Sequence, residues 1–77
     1  MAEPRDVHIR ERTIRLGQLL KLAGLAESGA DARALVQDGE ARVNGEVERR
    51  RGRQLHAGDV VTVAGAAVRV SGPGSGS

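Results

Sequence analysis

The sequence predicts an α+β fold in which two helices pack on a small antiparallel β-sheet. Apolar residues recur at spacings of three and four residues from Leu16 to Val36, and they alternate with polar residues after Gly39. The chain has 77 residues, so we expect one domain with a small core. It contains no Phe, Tyr, Trp or Cys, so that core must be aliphatic and without disulfides.

The first two predicted elements are a short strand and a helix. Val7 and Ile9 alternate with polar residues and predict the strand. The helix is predicted from apolar residues that share one face at i, i+3, i+4 and i+7, namely Leu16, Leu19, Leu20 and Ala23. Gly24 follows the last of them and is expected to end the helix.

A second helix is predicted to begin at Ser28. Ser28 precedes Asp31 by three residues, which is typical of an N-terminal capping box. Gly39 is expected to end this helix, and the side chains predicted to face the core are Ala32, Leu35 and Val36. The connection between the helices is short, so they must pack directly against each other, with Leu20 and Leu35 buried at their contact.

A β-hairpin is predicted at Asn44-Gly45, a pair that favours tight turns. A two-residue turn would pair Val43 with Glu46 and put Val47 on the opposite face. A three-residue loop would pair Val43 with Val47 and keep both on the core side. Since a shift of one residue moves every side chain to the other face, we favour the three-residue loop.

Two further strands are predicted where valines alternate with other residues, around residues 61–63 and 68–70. We therefore assign residues 7–70 to one domain. Residues 1–6 are expected to form a flexible N-terminus. The Gly/Ser-rich residues 71–77 are expected to form a flexible tail.

No catalytic, metal-binding or cofactor-binding pattern is present in the sequence. His8 and His56 are isolated, and Ser28 lies near no evident base. We therefore predict that the protein is not an enzyme and uses no cofactor or metal. No apolar run approaches the roughly 20 residues of a membrane helix, and the N-terminus lacks the apolar segment of a secretory signal. These features favour a cytoplasmic protein that does not contact a membrane.

Positive charge is concentrated in residues 42–53. Five arginines outweigh two glutamates there, a local charge of +3, whereas the net charge of the whole chain is +2. Such clustering is typical of a surface that binds a polyanion, and guanidinium groups match phosphate oxygens in a bidentate way. Because aromatic side chains are absent, recognition by base stacking is excluded. If Arg49, Arg50, Arg51 and Arg53 contact phosphates, we expect them to be surface residues with little role in folding.

Short motifs spread over residues 13–64 resemble the S4 domain, a small RNA-binding module. They are Arg15-Leu16, Leu19-Leu20, Leu25-Ala26-x-Ser28, Ala32-Arg33, Leu35-Val36-x-x-Gly39, Val43-Asn44-Gly45 and Gly58-Asp59-Val60-Val61. The stretch from Asn44 to Leu55, in which Asn-Gly-Glu is followed by Arg-Arg-Gly-Arg, is similar more narrowly to stand-alone bacterial S4 proteins of the YbcJ/YaaA type. That branch also carries glycine at the position of Gly29, where many S4 domains have arginine.

The resemblance implies an αL-type fold with RNA on the surface formed by the helices and the hairpin. The residues assigned to RNA binding, from this resemblance and from the charge pattern, are Arg15, Lys21, Ser28, Gly29, Arg33, Arg42, Asn44, Gly45, Arg49, Arg50, Arg51 and Arg53. The implied ligand is structured RNA, for example ribosomal or transfer RNA, and its identity stays open. We expect a monomer, for which association with the ribosome is one option.

Two alternative functions stay open at this point. The first is a protein-interaction adaptor whose arginines meet an acidic protein. The second is a sulfur carrier, because the Val43-Asn44-Gly45-Glu46 hairpin also resembles β-grasp sulfur-carrier proteins. Those proteins use a terminal Gly-Gly, whereas this sequence ends in Ser-Gly-Ser.

Overall fold

The computed structural model describes residues 4–73. In chain order its elements are β1 (Arg5–His8), β2 (Thr13–Arg15), α1 (Leu16–Leu22), α2 (Gly29–Gln37), β3 (Ala41–Val43), β4 (Glu46–Val47), β5 (Gln54–His56), β6 (Val60–Val63) and β7 (Ala66–Ser71). In the sequence, the two helices follow each other directly and come between β2 and β3. The predicted α+β fold class is confirmed.

The main sheet has five strands in the order β1-β7-β6-β3-β4, and β2 pairs with β5 in a separate two-stranded sheet. The main sheet is mixed rather than wholly antiparallel, because β1 runs parallel to β7 while the other neighbours are antiparallel. The parallel register places Val7 opposite Val70, and both side chains are buried. The first strand therefore docks beside the last one, which alternation along the sequence cannot predict.

The predicted chain boundaries need correction at both ends of the domain. Arg5 and Asp6 belong to β1 because they pair with Val68 and Arg69 of β7, so the expected flexible segment 1–6 is wrong at these two residues. At the other end, β7 continues to Ser71. The rest of the two predicted flexible segments falls largely on residues 1–3 and 74–77, which lie outside the described residues.

The core is aliphatic. From α1 it receives Leu16, Leu19 and Leu20, all fully buried, which confirms the predicted apolar face of this helix. From α2 it receives Ala32 and Val36. Leu35 packs at the edge of the core and is only half-buried, so the prediction that it is buried at the helix contact is wrong. Ala32 and Val36 are four residues apart and define the inward face of α2, which leaves Leu35 at its margin.

The predicted ends of both helices are confirmed. The Ser28 side chain accepts a hydrogen bond from the Asp31 N–H at 3.1 Å and caps the start of α2. Gly24 and Gly39 follow α1 and α2 with φ of +76° and +75°, a conformation that favours glycine and stops a helix.

The hairpin between β3 and β4 has the two-residue turn, so the favoured three-residue loop is wrong. Asn44 and Gly45 have φ of 53° and 88°, and Val43 lies opposite Glu46. Positive φ at both turn residues matches the twist of the flanking strands, which stabilises this turn. Val47 therefore points outwards and is 44% exposed. The next residue, Glu48, takes the inward position that the longer loop would have given to Val47.

Candidate nucleic-acid interface

A groove of about 520 Å³, here called the basic groove, opens between α1, α2 and the loop of residues 48–53. Its charged lining residues are all cations, and they are Arg15, Lys21, Arg33 and Arg51. The lining also includes Gly17, Gly29 and Gly52, which add no side chains that would narrow the groove. Five of the residues predicted to bind RNA therefore meet in one groove, because Gly29 is also one of them.

Each cation of the basic groove comes from a separate position in the fold. Arg15 is the last residue of β2 and the residue that precedes α1. Lys21 lies on the exposed side of α1, and Arg33 lies on the exposed side of α2. The packing of α1 on α2 brings these three side chains to one surface, and the 48–53 loop adds Arg51.

Arg51 lies directly against Gly17 of α1. A Cβ atom added to Gly17 would lie 2.7 Å from Arg51 Cγ, so the glycine makes room for this side chain. The backbone joins the same two residues, since Gly17 N–H donates to Arg51 O at 3.1 Å and Leu16 N–H donates to Arg53 O at 2.8 Å. No side chain caps the start of α1, so the carbonyl groups of the loop satisfy its first N–H groups.

Glu48 holds two arginines of the same loop. Its side chain accepts from Arg50 Nε at 3.0 Å and from Arg53 Nη1 at 2.8 Å, and it also accepts from the Arg50 backbone N–H at 3.0 Å. Glu48 is 7% exposed and is the one buried charged residue of the described chain. The hydrogen bonds from Arg50 and then Arg53 lower the pKa of Glu48 to about 2, against the effect of burial.

Arg49 binds the end of α2. Its Nη1 donates to Gln37 O at 2.7 Å, which places a cation at the C-terminus of the helix. A Cβ atom at Gly39 would lie 2.7 Å from Arg49 Nη2, so the end of this side chain packs closely over the glycine. Arg49, Arg50 and Arg53 therefore have hydrogen-bond partners within the protein, which the charge pattern alone did not predict.

The hairpin residues predicted to bind RNA do not line the basic groove. Asn44 Nδ2 donates to Asp59 Oδ1 at 3.1 Å, and Asn44 Oδ1 accepts from Val60 N–H at 3.0 Å. Asn44 therefore joins the hairpin turn to the start of β6. Partial burial would raise the pKa of Asp59, but hydrogen bonds from the His56 N–H and from Asn44 outweigh it and lower the pKa. Arg42 is exposed, with Nη1 3.4 Å from Gly45 O.

The roles of Glu48 and Gly17 were missed by sequence reasoning. A glutamate directly before a run of arginines is compatible with an internal ion pair, but the sequence does not show that Glu48 is buried. Within residues 4–73 no group of three or more His, Cys, Asp or Glu side chains is placed to hold a metal ion. In the same part of the chain, no helix has the length and apolar character that crossing a membrane requires.

Comparisons with known sequences agree with this fold. The S4 domain family model matches residues 7–71. The chain is 45% identical over 65 residues to the Bacillus subtilis (strain 168) protein named "Probable ribosome maturation protein RlbA", covering 84% of this chain and 89% of that protein. It is 42% identical over 57 residues to YbcJ of Escherichia coli (strain K12), covering 74% of this chain and 81% of YbcJ.

Two solved structures have a similar fold. The solution structure of E. coli YbcJ, described as revealing an αL motif involved in RNA binding, matches with a TM-score of 0.69 and 35% identity. The match covers 92% of this chain and 91% of YbcJ. The ribosomal protein S4e of Thermoplasma acidophilum matches with a TM-score of 0.60 and 19% identity, over 78% of this chain and 32% of S4e. The sequence matches and the shared αL fold show that this chain belongs to the S4 domain family.

Proposed function

We propose that this protein docks on structured RNA through the basic groove, with Arg15, Lys21, Arg33 and Arg51 neutralising phosphates. The observation that carries the proposal is the convergence of four cations on one groove whose lining contains no acidic residue. A phosphodiester backbone is the polyanion that such a spaced set of cations fits, because each guanidinium can donate hydrogen bonds to two phosphate oxygens.

The recognition we propose depends on shape and backbone rather than on base stacking. The chain has no aromatic side chain on which a base could stack. Contacts of the cations with phosphates and 2′-hydroxyl groups would then provide both affinity and selectivity for folded RNA. Ser28 and Gly29 would form one edge of this contact, since a Cβ atom at Gly29 would meet nothing within 4 Å and leaves the start of α2 open.

The other predicted residues take secondary roles in this proposal. Arg50 is bonded to Glu48 and yet its side chain is 77% exposed, so it adds to the positive field around the loop. Arg49 and Arg53 add charge in the same way. Arg42, Asn44 and Gly45 lie on the hairpin outside the groove, where an RNA longer than the groove would reach Arg42.

We infer that the RNA is ribosomal. The support is the printed name of the B. subtilis relative, which refers to ribosome maturation, together with the fold shared with S4e. In this proposal the protein acts as a monomer in the cytoplasm and performs no chemical reaction. The sulfur-carrier alternative has lost its basis, since the chain belongs to the S4 domain family and not to the β-grasp proteins.

The adaptor alternative keeps one specific observation in its favour. A second groove, of about 330 Å³, has an apolar floor that includes Leu25 and Leu35. Its rim carries three carboxylates, Glu27, Asp31 and Glu40. This charge suits a basic protein segment rather than the acidic partner that the arginines alone suggested.

The test compares two matched arginine variants in binding to labelled fragments of total ribosomal RNA. Arg33→Gln removes a cation of the basic groove. Arg69→Gln makes the same charge change on β7, where Arg69 is exposed and lies 3.5 Å from Asp6. We expect Arg33→Gln to weaken binding about tenfold and to reduce the salt dependence by roughly one counterion. Equal effects of the two variants would contradict docking at the basic groove, and capture of protein after RNase treatment would favour the adaptor.

A further inference from the structure

Only one of the four arginines in the 48–53 loop lines the basic groove. That residue is Arg51. Arg49 donates to Gln37 O, while Arg50 and Arg53 donate to Glu48. Within residues 4–73 nothing accepts a hydrogen bond from the Arg51 guanidinium. Three arginines of the loop therefore form hydrogen bonds within the protein, and Arg51 faces the open groove.

Glu48 closes this loop from the inside. Its Oε2 accepts from the Arg50 N–H and Nε, both at 3.0 Å, and its Oε1 accepts from Arg50 Nη2 at 3.2 Å and from Arg53 Nη1 at 2.8 Å. The backbone turns between the two arginines, since Arg53 N–H donates to Arg50 O at 3.2 Å. One carboxylate thus joins both ends of the turn that carries Arg51.

The same loop is attached to the two elements beside it. Glu48 N–H donates to Ala41 O of β3 at 3.0 Å. At the other end, the carbonyl groups of Arg51 and Arg53 accept from the first N–H groups of α1. A loop held at these points has one position relative to α1, and the contact with Gly17 then directs the Arg51 side chain into the basic groove.

We propose that Glu48 is a positioning residue for RNA binding, whose carboxylate holds the 48–53 loop so that Arg51 enters the basic groove. This inference rests on the proposed function of the groove. It assigns a favourable role to a negative charge beside a polyanion site, because the geometry that Glu48 imposes on Arg51 outweighs its repulsion of phosphate. The hydrogen bonds from Arg50 and Arg53 lower the pKa of Glu48, so this carboxylate stays charged although it is buried.

The test compares Glu48 with Glu46, which lies two residues earlier in the sequence. Glu48→Gln and Glu46→Gln both make the net charge more positive by one, but Glu46 is exposed and has no side-chain partner in the described chain. A charge effect alone would strengthen the binding of labelled ribosomal RNA fragments equally in both variants. We expect Glu46→Gln to bind as well as the unsubstituted protein or better, and Glu48→Gln to bind about as weakly as Arg51→Ala. The salt dependence of Glu48→Gln should fall by roughly 0.7–0.9 despite its higher charge.

A double-mutant cycle distinguishes positioning of Arg51 from an effect of Glu48 that is independent of Arg51. In the Glu48→Gln background Arg51→Ala should cost little further affinity, with a coupling of at least about twofold. Amide exchange at Leu16 and Gly17 gives a readout without RNA, since these N–H groups bond to the loop. Their exchange should rise in Glu48→Gln and stay unchanged in Glu46→Gln.

A second variant covers the case in which Glu48→Gln does not fold. Arg53→Gln removes one bond to Glu48 and leaves the bonds from Arg50. Its loss of affinity should be coupled to Arg51→Ala, whereas two independent phosphate contacts would be additive. Additive effects, or equal gains in Glu48→Gln and Glu46→Gln, would overturn the role of Glu48. If Arg51→Ala itself binds normally, the proposed contact of Arg51 with RNA fails instead.

Discussion

Gly17 packs directly against Arg51, and a side chain at position 17 would force Arg51 to shift. The Gly17 N–H donates to Arg51 O at 3.1 Å, and a Cβ atom on Gly17 would lie 2.7 Å from Arg51 Cγ. The backbone of the 48–53 loop thus caps α1, while the Arg51 side chain passes over the helix into the basic groove. The stability of α1 and the position of a proposed RNA contact are consequently joined in one pair of residues.

The first prediction concerns this pair. Gly17→Ala should displace the Arg51 side chain and weaken RNA binding several-fold. The free energy of unfolding should change little, because the gain of up to about 1 kcal/mol from replacing a helical glycine offsets the displaced contact. Titration with ribosomal RNA fragments and a thermal melt measure the two quantities. In an Arg51→Ala background the same substitution should have no further effect on affinity, and an equal loss there would contradict the role of the contact.

The second prediction compares Leu20 in the core with Leu35 at its edge. Leu20→Ala removes a fully buried side chain and should cost roughly 2–5 kcal/mol, enough to threaten a domain of this size. Leu35→Ala should cost clearly less, because Leu35 is half-buried at the edge of the core. Denaturant unfolding monitored by circular dichroism measures both. Equal losses would mean that the two helices pack differently from the arrangement described.

The third prediction concerns the hairpin turn. Gly45 has φ of +88° with open space around its missing side chain, so Gly45→Ala should destabilise the protein by about 1 kcal/mol through backbone strain alone. Gly52→Ala is the matched control, because its added Cβ also meets nothing within 4 Å and its φ lies outside the left-handed region. Urea unfolding should show a larger loss in the free energy of unfolding for Gly45→Ala than for Gly52→Ala. If Gly52→Ala loses as much stability as Gly45→Ala, the positive φ of Gly45 is not the cause of the loss.

The fourth prediction concerns pH. Because the folded protein lowers the pKa of Glu48 from 4.5 to about 2, the stabilisation it provides is fully present above about pH 4.5. It is lost as the pH falls towards 2, where the carboxyl becomes protonated. Glu48→Gln should therefore show a smaller decline in the free energy of unfolding between pH 5 and pH 2 than the unsubstituted protein, measured by urea unfolding. A decline in Glu48→Gln identical to that of the unsubstituted protein would contradict the lowered pKa of Glu48.

The fifth prediction separates binding from stability within the loop. Arg53→Ala should lower the free energy of unfolding by roughly 1–3 kcal/mol, because it leaves the buried Glu48 with one arginine partner fewer. Arg51→Ala should leave the melting temperature nearly unchanged, since its guanidinium bonds to nothing in the described residues. A pair of thermal melts decides this. A large loss of stability in Arg51→Ala would show that its side chain supports the fold.

The sequence alone was sufficient for the local features of this protein. The apolar face of α1, the cap at Ser28 and the glycines that end both helices depend on residues three or four positions apart, so their spacing shows them directly. The cluster of arginines and the resemblance to the S4 domain were also visible there. From these, the fold class and five of the residues that line the basic groove followed.

Only the tertiary structure decided the features that depend on distant residues or on the choice between neighbouring registers. The parallel pairing of β1 with β7 joins the two ends of the domain, and the outward position of Val47 follows from the two-residue turn. The division of the arginines depends on the burial of Glu48, which selects Arg50 and Arg53 and leaves Arg51 to the groove. Charge counted along the chain cannot predict this, because the partner of each guanidinium is set by the path of the backbone around it.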